Sequence, residues 1–208
     1  GIDVYFVTMD GVNETAMRSV FTLPPITAKY WRLRTNYLTT GFQGRKFNRN
    51  GEYGLYDTYQ FNTLQYGSMI TSHPDQLNTD AITSDNSSLT GQLTNIYNGI
   101  YKEQLGAGDD THTWHLTFAF TDTVEIKQLL MNGPADGFYV CGLDKLNIQY
   151  SDDNITWNAI GQEINVYADM VTKYGGTTTQ TNKQYIHSWQ YLPETQQWTH
   201  IGYYESDL

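Results

Sequence analysis

The chain has 208 residues, 39% hydrophobic and 16% charged, with a formal net charge of -10. That length holds one large β domain or two small ones with ample apolar material for a core. The acidity excludes the basic face that duplex binding needs and disfavours anionic membrane surfaces, so neither a nucleic-acid partner nor membrane insertion is expected.

With 17 Tyr and 18 Gly, the composition favours strands and turns over long helices, which draw on Ala, Leu, Glu and Lys. The fold class expected is all-β. Cys141 is the only cysteine, so no intrachain disulfide can form. No apolar run approaches the roughly 18 residues of a membrane span, and no signal-peptide pattern is present. The chain opens at Gly1 rather than Met, as expected of a fragment or a processed product.

In chain order, residues 2–8 read as a strand and 9–13 as a turn, with a long loop leading to Phe21, Pro24 and Pro25. Two prolines forbid a central strand there. Residues 28–34 alternate cleanly as a strand, 36–51 read as an exposed loop, and 53–66 as a closing strand. Arg32, Arg34, Arg45, Lys46 and Arg49 cluster early and read as a solvated loop rather than a ligand patch. Residues 71–95, rich in Thr, Ser, Asn and Asp, suit opening loops and short edge strands. Residues 106–113 form an acidic loop, 114–120 a strictly alternating strand, 124–132 another strand, and 138–142 a turn.

A hairpin follows. Leu146, Ile148 and Tyr150 alternate with Asn147, Gln149 and Ser151, the period of a half-buried strand. Asp152, Asp153 and Asn154 supply turn chemistry, and Trp157 and Ile160 return the chain to apolar packing. Residues 166–183 are a long polar connection, and 185–204 a strand pair turning at Leu192, Pro193 and Glu194. Gln149, Tyr150, Trp157, Ile160 and Gly161 recur at one offset as Gln190, Tyr191, Trp198, Ile201 and Gly202, which suggests a repeated hairpin.

The Tyr150–Ser151–Asp152 strand end, short turn and Trp157 resemble the central hairpin of the discoidin family, the coagulation factor 5/8 type C class that includes many bacterial carbohydrate-binding modules. Ala28, Tyr30, Trp31, Arg32 and Leu33 resemble that family's late strand. Leu93 through Asn98 and Gly99 resembles its early leucine-x-aspartate-glycine signature, with Asn98 in place of aspartate. The strand opening at Trp114 resembles its tryptophan-leucine strand. The resemblance implies a discoidin-like jelly-roll β-sandwich, partly duplicated or permuted. Late elements lie in residues 1–67, the C-terminal part of one sandwich; early and middle elements lie in 68–208, a second sandwich with an extra C-terminal hairpin. A single sandwich in permuted order fits as well. The missing disulfide implies a bacterial or viral source.

Catalytic signatures are missing: there is no GxSxG elbow and no phosphate loop. His112 and His115, three apart on a strand, point to opposite faces and cannot share a metal, so His115 reads as a sheet-surface residue. Asp109–Asp110 and Asp152–Asp153 could pair for glycoside hydrolysis, but adjacent turn acids are usually solvated. The resemblance implies a structural Ca²⁺, for which Asn98, Asp109 and Asp110 are the candidate ligands. Glycan recognition needs an aromatic ring for a sugar's C–H face and directed polar partners for its hydroxyls. Tyr97, Tyr101, His112, Phe138 and Tyr139, with Asn132 and Asp136, are the candidates at a loop end; Trp114 and Trp157 read as core.

The function expected is a non-enzymatic module binding a carbohydrate or cell-surface ligand, on a phage or bacterial surface protein. The alternative is a structural virion protein (tail, fibre or head decoration) using the sandwich for assembly, and a third is a module cut from a surface glycosidase. The corresponding partners are a surface glycan, other virion subunits or a homo-oligomer, in a virion or an extracellular, cell-surface setting.

Overall fold

The computed structural model describes residues 15–37, 52–56, 81–85, 114–135, 143–166, 168–169 and 183–207. Its strands are β1 (Thr15–Thr22), β2 (Thr27–Tyr37), β3 (Glu52–Tyr56), β4 (Ala81–Ser84), β5 (Trp114–Glu125), β6 (Gln128–Ala135), β7 (Leu143–Ser151), β8 (Asn158–Ala159), β9 (Lys183–Leu192) and β10 (Gln197–Asp207). They form two five-stranded sheets, ordered β10-β9-β1-β6-β3 and β4-β5-β2-β7-β8. Pairing is antiparallel except between β1 and β9, which run parallel. The protein is all-β.

β1 is central in the first sheet, although its sequence reads as loop. Ser19, Val20 and Phe21 are all buried, so no alternation marks the strand. Pro24 and Pro25, which cannot donate to a ladder, follow its end, and the chain crosses to the second sheet to begin β2 at Thr27. The strand predicted over 124–132 is in fact two: β5 ends at Glu125, and β6 starts in the other sheet at Gln128. The two crossings are laced together by the Leu23 N–H, which donates to the Lys127 carbonyl at 2.9 Å, with Leu23 and Ile126 buried.

The division at residue 67 does not separate the sheets. β1 pairs with β6 and β9, and β2 with β5 and β7, so strands from either side of that position interleave in both. The C-terminal hairpin turns where expected, through residues 193–196 between β9 and β10, with Gln196 at φ 56°. It is not a repeat of the β7–β8 hairpin. Tyr150 pairs with Asn158, whereas Tyr191 pairs with Trp198, a one-residue slip that exchanges faces. Accordingly Ile160 is buried while Ile201 is 53% exposed.

One hydrophobic cluster draws on both sheets: Phe21, Leu129, Trp189 and Trp198 from the first, and Trp31, Leu33, Leu116, Phe118, Leu146 and Ile148 from the second. Phe21 stacks on Trp189 (centroids 4.9 Å apart, planes at 15°) and meets Trp198 edge-on at 6.4 Å. The buried indoles satisfy their N–H groups locally: Trp31 to the Ala28 carbonyl at 3.3 Å, Trp198 to the Ile160 carbonyl at 2.7 Å and Trp189 to Asp169 Oδ2 at 2.7 Å. His187, fully buried, has Nδ1 3.0 Å from His200 Nε2, so one ring donates to the other. The Trp198 bond also fixes the segment after β8. There Gly161 adopts φ +67°, and Ile164 exchanges two backbone bonds with Leu146 at 2.7 and 3.0 Å.

Candidate functional site

The period of two that buries Trp31 and Leu33 turns Tyr30, Arg32 and Arg34 to the outer face of the second sheet. Register sets their neighbours. Arg32 lies between Thr117 of β5 and Gln149 of β7, and Arg34 between His115 and Asn147. Successive same-face residues stand about 6.6 Å apart along a strand, and neighbouring strands about 4.8 Å apart, so these side chains form one contiguous polar patch.

Its centre is Arg32. The guanidinium lies over the Trp157 ring, 4.0 Å from the centroid. Arg32 Nε donates to Gln149 Oε1 at 2.8 Å, and Gln149 Nε2 donates to Asn147 Oδ1 at 2.8 Å, so three side chains fix one another. Among the described residues nothing accepts a hydrogen bond from the terminal amino groups of Arg32. Burial and, less strongly, Arg34 lower the Arg32 pKa, while Asp85 acts in the opposite direction; a guanidinium remains charged throughout.

Beside it, Asp85 grips His115 twice, accepting from the backbone N–H at 2.7 Å and meeting Nδ1 at 2.6 Å. Ser84 Oγ donates to the His115 carbonyl at 2.7 Å. Partial burial pushes the Asp85 carboxyl up, but the bonds from the His115 ring and backbone outweigh it and hold the group below its ordinary value. Asp85 thus holds Nδ1, and among the described residues Nε2 meets no hydrogen-bond partner. At the far rim Glu163 bridges Arg34 (3.5 Å) and Lys145 (3.4 Å), exposed pairs of small energetic weight.

Trp157 reaches this face because of the turn before it. Asp153 Oδ1 accepts from the backbone N–H groups of Ile155 (2.8 Å) and Thr156 (2.7 Å) and from Ser151 Oγ (2.9 Å), and Oδ2 accepts from Thr156 Oγ1 (3.1 Å). Asn154 takes the left-handed conformation, φ 61°, that the turn requires. The Thr156 and Ile155 N–H groups, then Ser151, hold the Asp153 carboxyl at about 2. An acid so held suits a structural clamp, not a proton donor to a glycosidic oxygen.

The expectation that Trp157 is core is therefore corrected: the clamped turn spends residues 152–156 off the ladder, and the indole comes down half-buried on the outer face. Trp114 opens β5, where its backbone pairs with Thr35. Asn132 lies inside β6, paired with Arg18 and Glu52 on either side, because that strand runs on to Ala135. It belongs to the first sheet, away from the polar face. Tyr97, Asn98, Tyr101, Asp109, Asp110, His112, Asp136, Phe138 and Tyr139 lie outside the described residues. His115 is a sheet-surface residue, as expected. Among the described residues no three His, Cys, Asp or Glu side chains gather as a metal site, and no helix is long and apolar enough to cross a membrane.

Arg32 and Arg34, read from sequence as part of a solvated loop cluster, are the principal correction. Their alternation with Trp31 and Leu33 carried the signal, and the same period in β7 places Asn147 and Gln149 beside them. Comparison of the chain with family models, with curated proteins and with solved structures finds no match.

Proposed function

We propose that the chain is a non-enzymatic recognition module that binds a carbohydrate or cell-surface ligand through the outer face of its second sheet. On this reading the two sheets belong to a discoidin-like jelly-roll sandwich in permuted strand order, carried on a phage or bacterial surface protein. The observation that supports the reading is the Arg32–Trp157 stack at 4.0 Å, set in a relay of Gln149 and Asn147. An indole offers a flat apolar surface to a sugar's C–H face, while amides and a guanidinium supply the directed bonds its hydroxyls need. Packing and hydrogen bonds already hold these groups in place, so little side-chain freedom is lost on binding.

The test is a glycan array probed with the full chain, with and without calcium, alongside Trp157→Ala. The reading predicts binding to a defined glycan class that falls by about tenfold or more in the variant, the loss of one well-placed aromatic contact. Calcium dependence would bring Asn98, Asp109 and Asp110 into the account. A folded chain that binds no glycan would overturn the reading in favour of virion assembly.

A further inference from the structure

The outer face carries a charge pattern that narrows its ligand. Among the described residues, three cations (Arg32, Arg34 and Lys145) stand on this face with two carboxylates (Asp85 and Glu163). The chain as a whole carries -10, so a group of three cations stands out against the molecule's own charge. The terminal amino groups of Arg32 have no acceptor among the described residues, while Nε, the indole and Gln149 lock the plane of the guanidinium. A fixed fork of N–H donors matches the two oxygens of a carboxylate.

We propose that the outer face of the second sheet binds a carboxylate-bearing sugar, a uronic acid unit of an acidic polysaccharide, with its carboxylate on Arg32 and Arg34 and its ring hydroxyls on His115 and Gln149, the latter held by buried Asn147. This rests on the glycan-binding reading above and adds the chemical class of the sugar. The Gln149 amide and the imidazole edge beside the arginines both donate and accept, which suits the hydroxyls of a sugar. The indole of Trp157 beside them favours the C–H face of a sugar over an acidic peptide.

The test is a calorimetric titration of the full chain with galacturonate, glucuronate and mannuronate tetramers, each beside its carboxyl-reduced neutral counterpart, and with a polyglutamate peptide. At least one acidic tetramer should bind about tenfold or more tightly than its reduced partner, the weight of one charge-assisted pair. Its affinity should fall at about 1 M salt, where the screening length is about 3 Å. Arg34→Gln, at an exposed position, should remove most of the preference for the acidic form while leaving the weaker neutral binding in place, and Arg32→Gln should weaken binding of the acidic form more than that of the neutral one. Equal binding of acidic and reduced sugars overturns this inference and leaves the glycan-binding reading standing. Polyglutamate binding as tightly as the best sugar overturns the sugar assignment, and no binding to any of these sugars overturns this inference, while the glycan array decides the broader reading. Unchanged acid affinity in a folded Arg34→Gln and a folded Arg32→Gln chain would displace the ligand from this face.

Discussion

Gly161→Ala tests how the turn that presents Trp157 is anchored. Gly161 sits at φ +67°, and a Cβ there falls 2.7 Å from Tyr191 Cε2 and 3.1 Å from the Gln196 carbonyl oxygen. Two costs therefore add. Holding an L-residue in the left-handed region costs about 1–2 kcal/mol, and forcing a methyl group into packed surroundings costs about 1–3 kcal/mol. Tyr191 cannot withdraw freely, since its ring lies edge-on against Trp198 at 5.7 Å and the Trp198 indole bonds the Ile160 carbonyl. The sum is about 3 kcal/mol of lost stability, read as a drop of about 6–12 °C in melting temperature for a chain of this size. Urea unfolding of the wild type, Gly161→Ala, Tyr191→Ala and the double variant supplies a double-mutant cycle. If the clash is real, the double variant is less destabilised than the two singles added together. A Gly161→Ala loss under about 0.5 kcal/mol, the range of an unremarkable surface change, would refute the reasoning.

Two further predictions concern polar groups. Asp153 has its folded value lowered from 3.8 to about 2, so its contribution to stability is complete above the unfolded value and is lost as pH falls through about 2. NMR titration of its side-chain carboxyl should find a midpoint near 2 that the Thr156 and Ile155 amide shifts track; a midpoint near 4 would contradict the clamp. Ser19 Oγ is buried with no hydrogen-bond partner among the described residues, so Ser19→Ala should leave stability unchanged or raise it by up to about 1 kcal/mol, because a desolvated hydroxyl is removed. A loss beyond about 1 kcal/mol in urea unfolding would show that the hydroxyl is satisfied.

The fold class was legible because β2, β5 and β7 alternate, with Trp31, Leu33, Leu116, Phe118, Leu146 and Ile148 all facing the core as read. The C-terminal hairpin was legible for the same reason and from its proline turn. β1 was not, since a central strand with Ser19, Val20 and Phe21 all buried shows no period of two. The break at Ile126 was hidden too: two strands in different sheets joined by two residues look like one long strand. At the site, the polar turn after β7 was read correctly, yet its consequence was not. Five residues clamped by Asp153 reset the alternation and moved Trp157 from the core to the outer face. Nothing local to Arg32 or Trp157 reports that they stack; the contact depends on the register of β2 against β7.

The central claim is that the outer face of the second sheet, not a loop end, carries the ligand. The most direct measurement is the glycan array repeated with Trp157→Ala, Tyr101→Ala and Tyr139→Ala, each first shown to melt cooperatively. The account predicts that binding is lost in Trp157→Ala and kept in both tyrosine variants. Binding kept in Trp157→Ala and lost in Tyr101→Ala or Tyr139→Ala would contradict it and move the site to the loops.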